Sequence, residues 1–123
     1  MKLTQYTEEA SRTNAPLDNN YDDMTSLHMI LGMVTEVGEL ADVYKKHLAY
    51  KKPKDMVNVK EELGDLMWYI AVFCKINNIN LEEVLQTNIN KLKARYPDKF
   101  TEKAAIIRDL DNERKVLEQG NKK

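Results

Sequence analysis

Apolar residues fall at helical spacing along most of this chain, and nowhere do they alternate convincingly with a period of two. That pattern argues against a sheet, so the expected class is all-α, a helical bundle of four to five helices. A lead-in helix is predicted from Leu3 to about Arg12, before Asn14-Ala15-Pro16 and Asp18-Asn19-Asn20 break it. A long core helix follows, capped by Asp22 or Asp23 and running to about Ala49, where Lys51-Lys52-Pro53 ends it. Its predicted core stripe is Ile30, Met33, Val34, Val37, Ala41, Tyr44 and Leu48. Asp55 is expected to cap a third helix to about Asn77, with Met56, Val59, Leu63, Leu66, Met67, Ile70 and Cys74 on its stripe. The apolar run from Leu66 to Phe73 is broad enough to predict a subunit contact. Asn80 opens a fourth helix with Leu81, Val84, Leu85 and Leu92 inward, stopped at Tyr96-Pro97. The tail from about Thr101 reads as a fifth helix packed on a neighbour or as a partly frayed end.

A chain of 123 residues fits one domain, 1–123, that leaves much of its surface wet unless it associates. With 32% charged residues and a net charge of −1, the surface is mixed, which argues against a dedicated nucleic-acid or membrane-surface protein. The single Cys74 cannot form an internal disulfide and is expected to be an inert core thiol. Without a signal-peptide pattern, and with no apolar run near the roughly 20 residues that span a bilayer, a cytoplasmic setting away from the membrane is expected.

Within the second and third helices one pentapeptide recurs: Glu36-Val37-Gly38-Glu39-Leu40 is echoed by Glu62-Leu63-Gly64-Asp65-Leu66. Each copy sets two carboxylates at i and i+3 on one helical face, beside the apolar stripe. Each glycine costs about 1 kcal/mol relative to alanine in a helix interior, and close helix approach at Gly38 and Gly64 is the expected compensation. Packed stripe to stripe, the two helices would border one cleft with both acidic pairs. Acids at this spacing are ordinarily solvated. Here they recur beside Met29, Gly32, Val43, Tyr69 and Ile76, where unpaired carboxylates repel and are poorly hydrated, and a cation resolves both problems.

All-oxygen ligands suit Mg²⁺, Mn²⁺ or Ca²⁺ rather than zinc or copper. Neither His28 nor His47 completes a Glu-x-x-His pattern, which removes the helical di-iron reading. Mg²⁺ is preferred, with Mn²⁺ as the alternative, because it completes a few carboxylates with water and substrate phosphate. A phosphate ester or anhydride is the implied substrate. On the fourth helix Asn88, Lys91 and Arg95, at i, i+3 and i+7, present an amide, an ammonium and a guanidinium to such a phosphate, against the plainer reading of a solvated basic helix end.

Glu36-x-x-Glu39, then Glu62-x-x-Asp65, then Asn88-Ile-Asn-Lys91-Leu-Lys-Ala-Arg95-Tyr-Pro resembles the MazG-like all-α nucleoside triphosphate pyrophosphohydrolases, over a core of about residues 24–100 with 101–123 as a helical tail. The resemblance implies Mg²⁺-dependent hydrolysis of a nucleoside or deoxynucleoside triphosphate to monophosphate and pyrophosphate, in cleaning or regulating nucleotide pools. It implies that Glu36, Glu39, Glu62 and Asp65 ligate the metal and serve catalysis, and that Lys91 and Arg95 hold phosphate oxygens. It places Tyr69 beside the nucleotide, a position equally consistent with a core aromatic. It implies a homodimer or homotetramer. Many relatives carry a further glutamate directly before the first motif where this chain has Thr35, so the general base is left unassigned. Related dUTP or phosphoribosyl-ATP pyrophosphohydrolases share these helices, and a non-catalytic nucleotide- or metal-binding module is the alternative of another class. Trp68 is expected at a subunit interface rather than a base pocket, and His47 at a helix-end surface rather than on phosphate.

Overall fold

The computed structural model describes residues 1–15 and 23–120, which form helices and no strand. In chain order these are α1 Leu3–Arg12, α2 Asp23–Tyr50, α3 Met56–Ile76, α4 Leu81–Arg95, α5 Glu102–Ile106 and α6 Leu110–Gln119. The chain divides into two compact units, Met1–Ile79 and a second that begins at Asn80. The expected break at Pro16 and Asp18-Asn19-Asn20, and the Asp22 cap, lie outside the described residues.

In the first unit α3 packs against both α1 and α2. Its start follows from Asp55, whose carboxylate accepts the Asn58 N–H at 3.1 Å and satisfies a donor the first turn cannot pair. α2 ends where Lys51 enters the left-handed region at φ 53°. There the His47 Nδ1 lies 2.7 Å from the Lys52 carbonyl oxygen, so a proton on that nitrogen donates to it and ties down the turn. The core gathers Ala10, Met29, Ala71 and Val72, with Tyr6, Trp68, Tyr69, Phe73 and Ile76 packed around them. Trp68 Nε1–H donates to the Ala10 carbonyl at 3.1 Å and to Thr13 Oγ1 at 2.7 Å. It therefore joins α1 to α3 within the chain, where a subunit interface was expected.

The burial of α2 departs from the predicted stripe. Its buried residues are Met29, Gly32 and Val43. Ile30, Val34, Val37, Tyr44 and Leu48 are exposed. The helix is apolar on two sides, and α3 covers the side that also carries Glu36, because Gly32 leaves room there for the Tyr69 ring. A Cβ at Gly32 would collide with that ring, whereas one at Gly38 or Gly64 would meet nothing within 4 Å. Close approach thus belongs to Gly32, and the expectation for Gly38 and Gly64 is corrected. Gly32→Ala is expected to cost about 1–3 kcal/mol through overpacking. Gly38→Ala should instead stabilise by about 1 kcal/mol through helix propensity. Denaturant midpoints of the two variants should move in opposite directions.

In the second unit the Asn80 side chain accepts the Glu82 and Glu83 N–H groups at 3.0 and 3.3 Å and starts α4, which packs on α6. Leu81 is buried and Leu92 half-buried, but Val84 and Leu85 stand exposed, contrary to expectation, because the short α6 covers only part of α4. The tail is two helices rather than a fifth one. Thr101 Oγ1 accepts the Ala104 N–H at 3.2 Å to begin α5, and the Asp109 carboxylate accepts the Asn112 N–H at 3.1 Å to begin α6.

Buried Glu113 anchors α6. It accepts Arg95 Nε–H at 2.6 Å and an Arg95 terminal N–H at 3.1 Å, and an Arg108 terminal N–H at 2.6 Å. These bonds hold its carboxyl at about 2, against an ordinary value of 4.5. A depressed folded-state pKa gives stability that is whole above the unfolded value and is lost as the pH falls through the folded one. Between about pH 4.5 and 2 the α6 amides are therefore expected to lose hydrogen-exchange protection. In Glu113→Gln that protection should already be low at neutral pH.

Candidate metal centre

α2 and α3 bring three of the four repeated acids together. One carboxylate oxygen each from Glu36, Glu62 and Asp65 lies within 4.8 Å of the others. Glu62 is 9% exposed, Glu36 is half-buried and Asp65 is exposed. The Glu62 carboxyl is pushed above its usual range, first by hydrogen bonding with the Glu36 carboxyl, then by burial, then by the charges of Glu36, Glu39 and Asp65. Glu39 is exposed and outside the trio, yet close enough for its charge to act on Glu62 and on Lys46.

Three converging oxygen donors, one of them a buried carboxyl that holds its charge only at a cost, fit a hard divalent cation. No nitrogen or sulfur group belongs to the trio, which suits Mg²⁺ or Mn²⁺ better than zinc. The backbone geometry behind this is simple. Glu36 lies one turn beyond Gly32, and Glu62 two turns before Tyr69, so the contact of Gly32 with the Tyr69 ring draws the acid-bearing faces together.

Thr35 Oγ1–H donates to the Gly32 carbonyl at 2.9 Å, so its hydroxyl bonds within its own helix. Tyr69 sits edge-on to Trp68 with ring centroids 5.0 Å apart, packed into the core. Asp42 pairs with Lys45 at 3.2 Å and Lys46 at 2.8 Å, one turn further along α2. Asn88, Lys91 and Arg95 belong to α4 in the second unit. Asn88 is exposed, Lys91 is half-buried and makes no ion pair among the described residues, and Arg95 is bound by Glu113. Cys74 is buried, and burial raises its thiol pKa, as an inert core thiol requires.

Sequence reasoning missed the parts played by Gly32 and Glu113. Gly32 was detectable as a glycine one turn before Glu36 on the acid-bearing face. Glu113 carried no signal, being one acid among many in a charged tail.

The MazG nucleotide pyrophosphohydrolase domain matches residues 24–100 of the chain. The "Gene 37 protein" of Mycobacterium phage L5 is 39% identical over 75 residues, a match that covers 55% of this chain and 63% of that protein. The chain thus spans less than two thirds of that relative. No solved structure matches.

Proposed function

The chain belongs to the MazG nucleotide pyrophosphohydrolase family, and from that membership we propose that it hydrolyses a nucleoside or deoxynucleoside triphosphate to the monophosphate and pyrophosphate, using Mg²⁺ or, in its place, Mn²⁺. The observation that carries this reading is the convergence of Glu36 and Asp65 on Glu62, a carboxyl whose ionisation is disfavoured. These three hold the cation, and Glu39, one turn along α2 from Glu36, completes the acid set. When bound, the cation neutralises polyphosphate charge and acts as a Lewis acid. A carboxylate oxygen of the acid set orients the attacking water and accepts its proton, since the Thr35 hydroxyl is engaged with the Gly32 carbonyl. Lys91 holds phosphate oxygens. Arg95 takes the same role with the N–H groups it has left, because Glu113 occupies two of its five donors, Nε–H and one terminal N–H.

A second copy of the chain completes the assembly in this reading. The exposed row of Ile30, Val34, Val37, Tyr44 and Leu48 along α2 supports it, since monomers rarely leave so long an apolar face in water. Among the described residues no helix is long and apolar enough to cross a membrane. A cytoplasmic setting goes with a nucleotide substrate.

The test is a panel of ordinary, deoxy and modified nucleoside triphosphates, with dUTP and phosphoribosyl-ATP included, assayed with Mg²⁺ for pyrophosphate against orthophosphate. Pyrophosphate release that chelation abolishes is expected. Nucleotide binding without any release would instead favour the non-catalytic module.

A further inference from the structure

Arg95 is the last residue of α4, a place where a lone arginine would sample many rotamers before it met a phosphate. In this chain one rotamer is held. Glu113 of α6 takes the Nε–Nη2 edge of the guanidinium, with Oε1 accepting the Nε–H and Oε2 an Nη2 N–H, a fork-to-fork pair. The Tyr96 ring restrains the same group from another side, its centroid 5.7 Å from the guanidinium carbon. Both partners are largely withdrawn from water, Arg95 with 15% of its side chain exposed and Glu113 with 6%.

The edge that Glu113 fills matters. It leaves the opposite edge, formed by Nη1 and the second N–H of Nη2, outside the pair. That edge is still a complete fork for two phosphate oxygens. Pairing alone would cancel the charge that attracts a phosphate, but an Arg108 N–H also donates to Glu113 Oε2, so two guanidiniums share one carboxylate. With both oxygens bonded, Glu113 is itself fixed.

We propose that Glu113 is a positioning residue, which holds Arg95 so that its Nη1–Nη2 edge meets the substrate's phosphates already aligned. The proposal rests on the reading of Arg95 as a phosphate-holding residue. It brings α6, which lies beyond the matched residues 24–100, into the substrate-binding apparatus. The gain is entropic, because rotamers that Arg95 would otherwise give up on binding are given up on folding.

A plainer role, the anchoring of α6 to α4, uses the same bonds and has a different kinetic signature. Anchoring acts through the amount of folded chain and so through kcat, whereas a misaligned Arg95 weakens the hold on phosphate and raises KM. Charge works against the expected change: removing the Glu113 carboxylate makes the surroundings of Arg95 more positive, which by itself would lower KM for a polyanion.

The experiment is steady-state kinetics of pyrophosphate release by the full chain with Mg²⁺, on the triphosphate it turns over fastest. Glu113→Gln should raise KM about 2- to 12-fold, the scale of ordering one long side chain, and leave kcat near the wild-type value. An unchanged or lowered KM in the folded variant overturns the proposal, as does a loss confined to kcat. Should that variant fail to fold, Glu113→Asp, one methylene short of Arg95, gives the same readout: a raised KM supports the proposal and an unchanged one overturns it. Lys115 is exposed on α6, and Lys115→Gly and Lys115→Ala differ in helix propensity but not in charge. The two should differ in α6 hydrogen-exchange protection and agree in KM; a KM that follows the protection overturns the proposal. If the wild-type chain releases no pyrophosphate from any triphosphate, the hydrolase reading fails by itself. Titration with magnesium pyrophosphate then decides the positioning role: a shift of the Arg95 Nε–H resonance with weaker binding by Glu113→Gln supports it, and no shift or equal binding overturns it.

Discussion

Glu62→Gln is expected to lower Mg²⁺-dependent pyrophosphate release at least about 100-fold and to leave the folded chain, in chelator, as stable as the wild type or more so. Both halves follow from one arrangement. Glu62 is buried beside Glu36, near Asp65 and Glu39, so at neutral pH its charge is repelled by its neighbours and poorly hydrated. A neutral amide of the same shape removes that repulsion. On the proposed reading it also removes a ligand of the cation on which the other carboxylates converge, and with it the cation's hold on the triphosphate. Activity and melting temperature should therefore move in different directions. Addition of Mg²⁺ should raise the melting temperature of the wild type but not of the variant. A variant equally inactive but much less stable would show that Glu62 serves the fold instead.

Met29→Ala carries the largest expected loss of stability, about 2–5 kcal/mol. Met29 is 2% exposed and is the largest side chain that α2 buries. Its core partners include Ala10 and Ala71, whose small side chains cannot extend into the space left behind. α1 is moreover fixed to α3 by the Trp68 bonds to Ala10 and Thr13, so the cavity cannot close by moving that helix. Met29→Leu, close in volume, should cost less than about 1.5 kcal/mol. Urea unfolding of the two variants measures the difference. Loosening α2 should also weaken activity, because the same helix carries Glu36 and Glu39.

Helix starts were legible because they are local. Asp55 and Asn80 each accept a nearby N–H, and such caps depend on a few consecutive residues. The covered face of α2 was not legible. A wheel finds the apolar stripe of Ile30, Val34 and Val37, yet cannot tell a side packed by the chain's own α3 from a side left exposed, and the deciding feature was the fit of Tyr69 against Gly32. The four acids could be named from their repeat, and the structure gathers three of them. Their order of burial could not be read, since it depends on how α2 and α3 cross. Arg95 looked like a helix-end cation, and its bond to Glu113 spans 18 positions. The split of the tail at Asp109 was within reach, for a capping aspartate before a polar helical run is a start signal.

The most direct measurement is a titration of the full chain with Mn²⁺, followed by electron paramagnetic resonance, beside the Glu62→Gln variant. The carboxylate cluster predicts saturable binding by the wild type that Mg²⁺ competes away and the variant loses. No saturable binding by the wild type, or equal binding by the variant, would contradict a metal centre built on Glu36, Glu62 and Asp65.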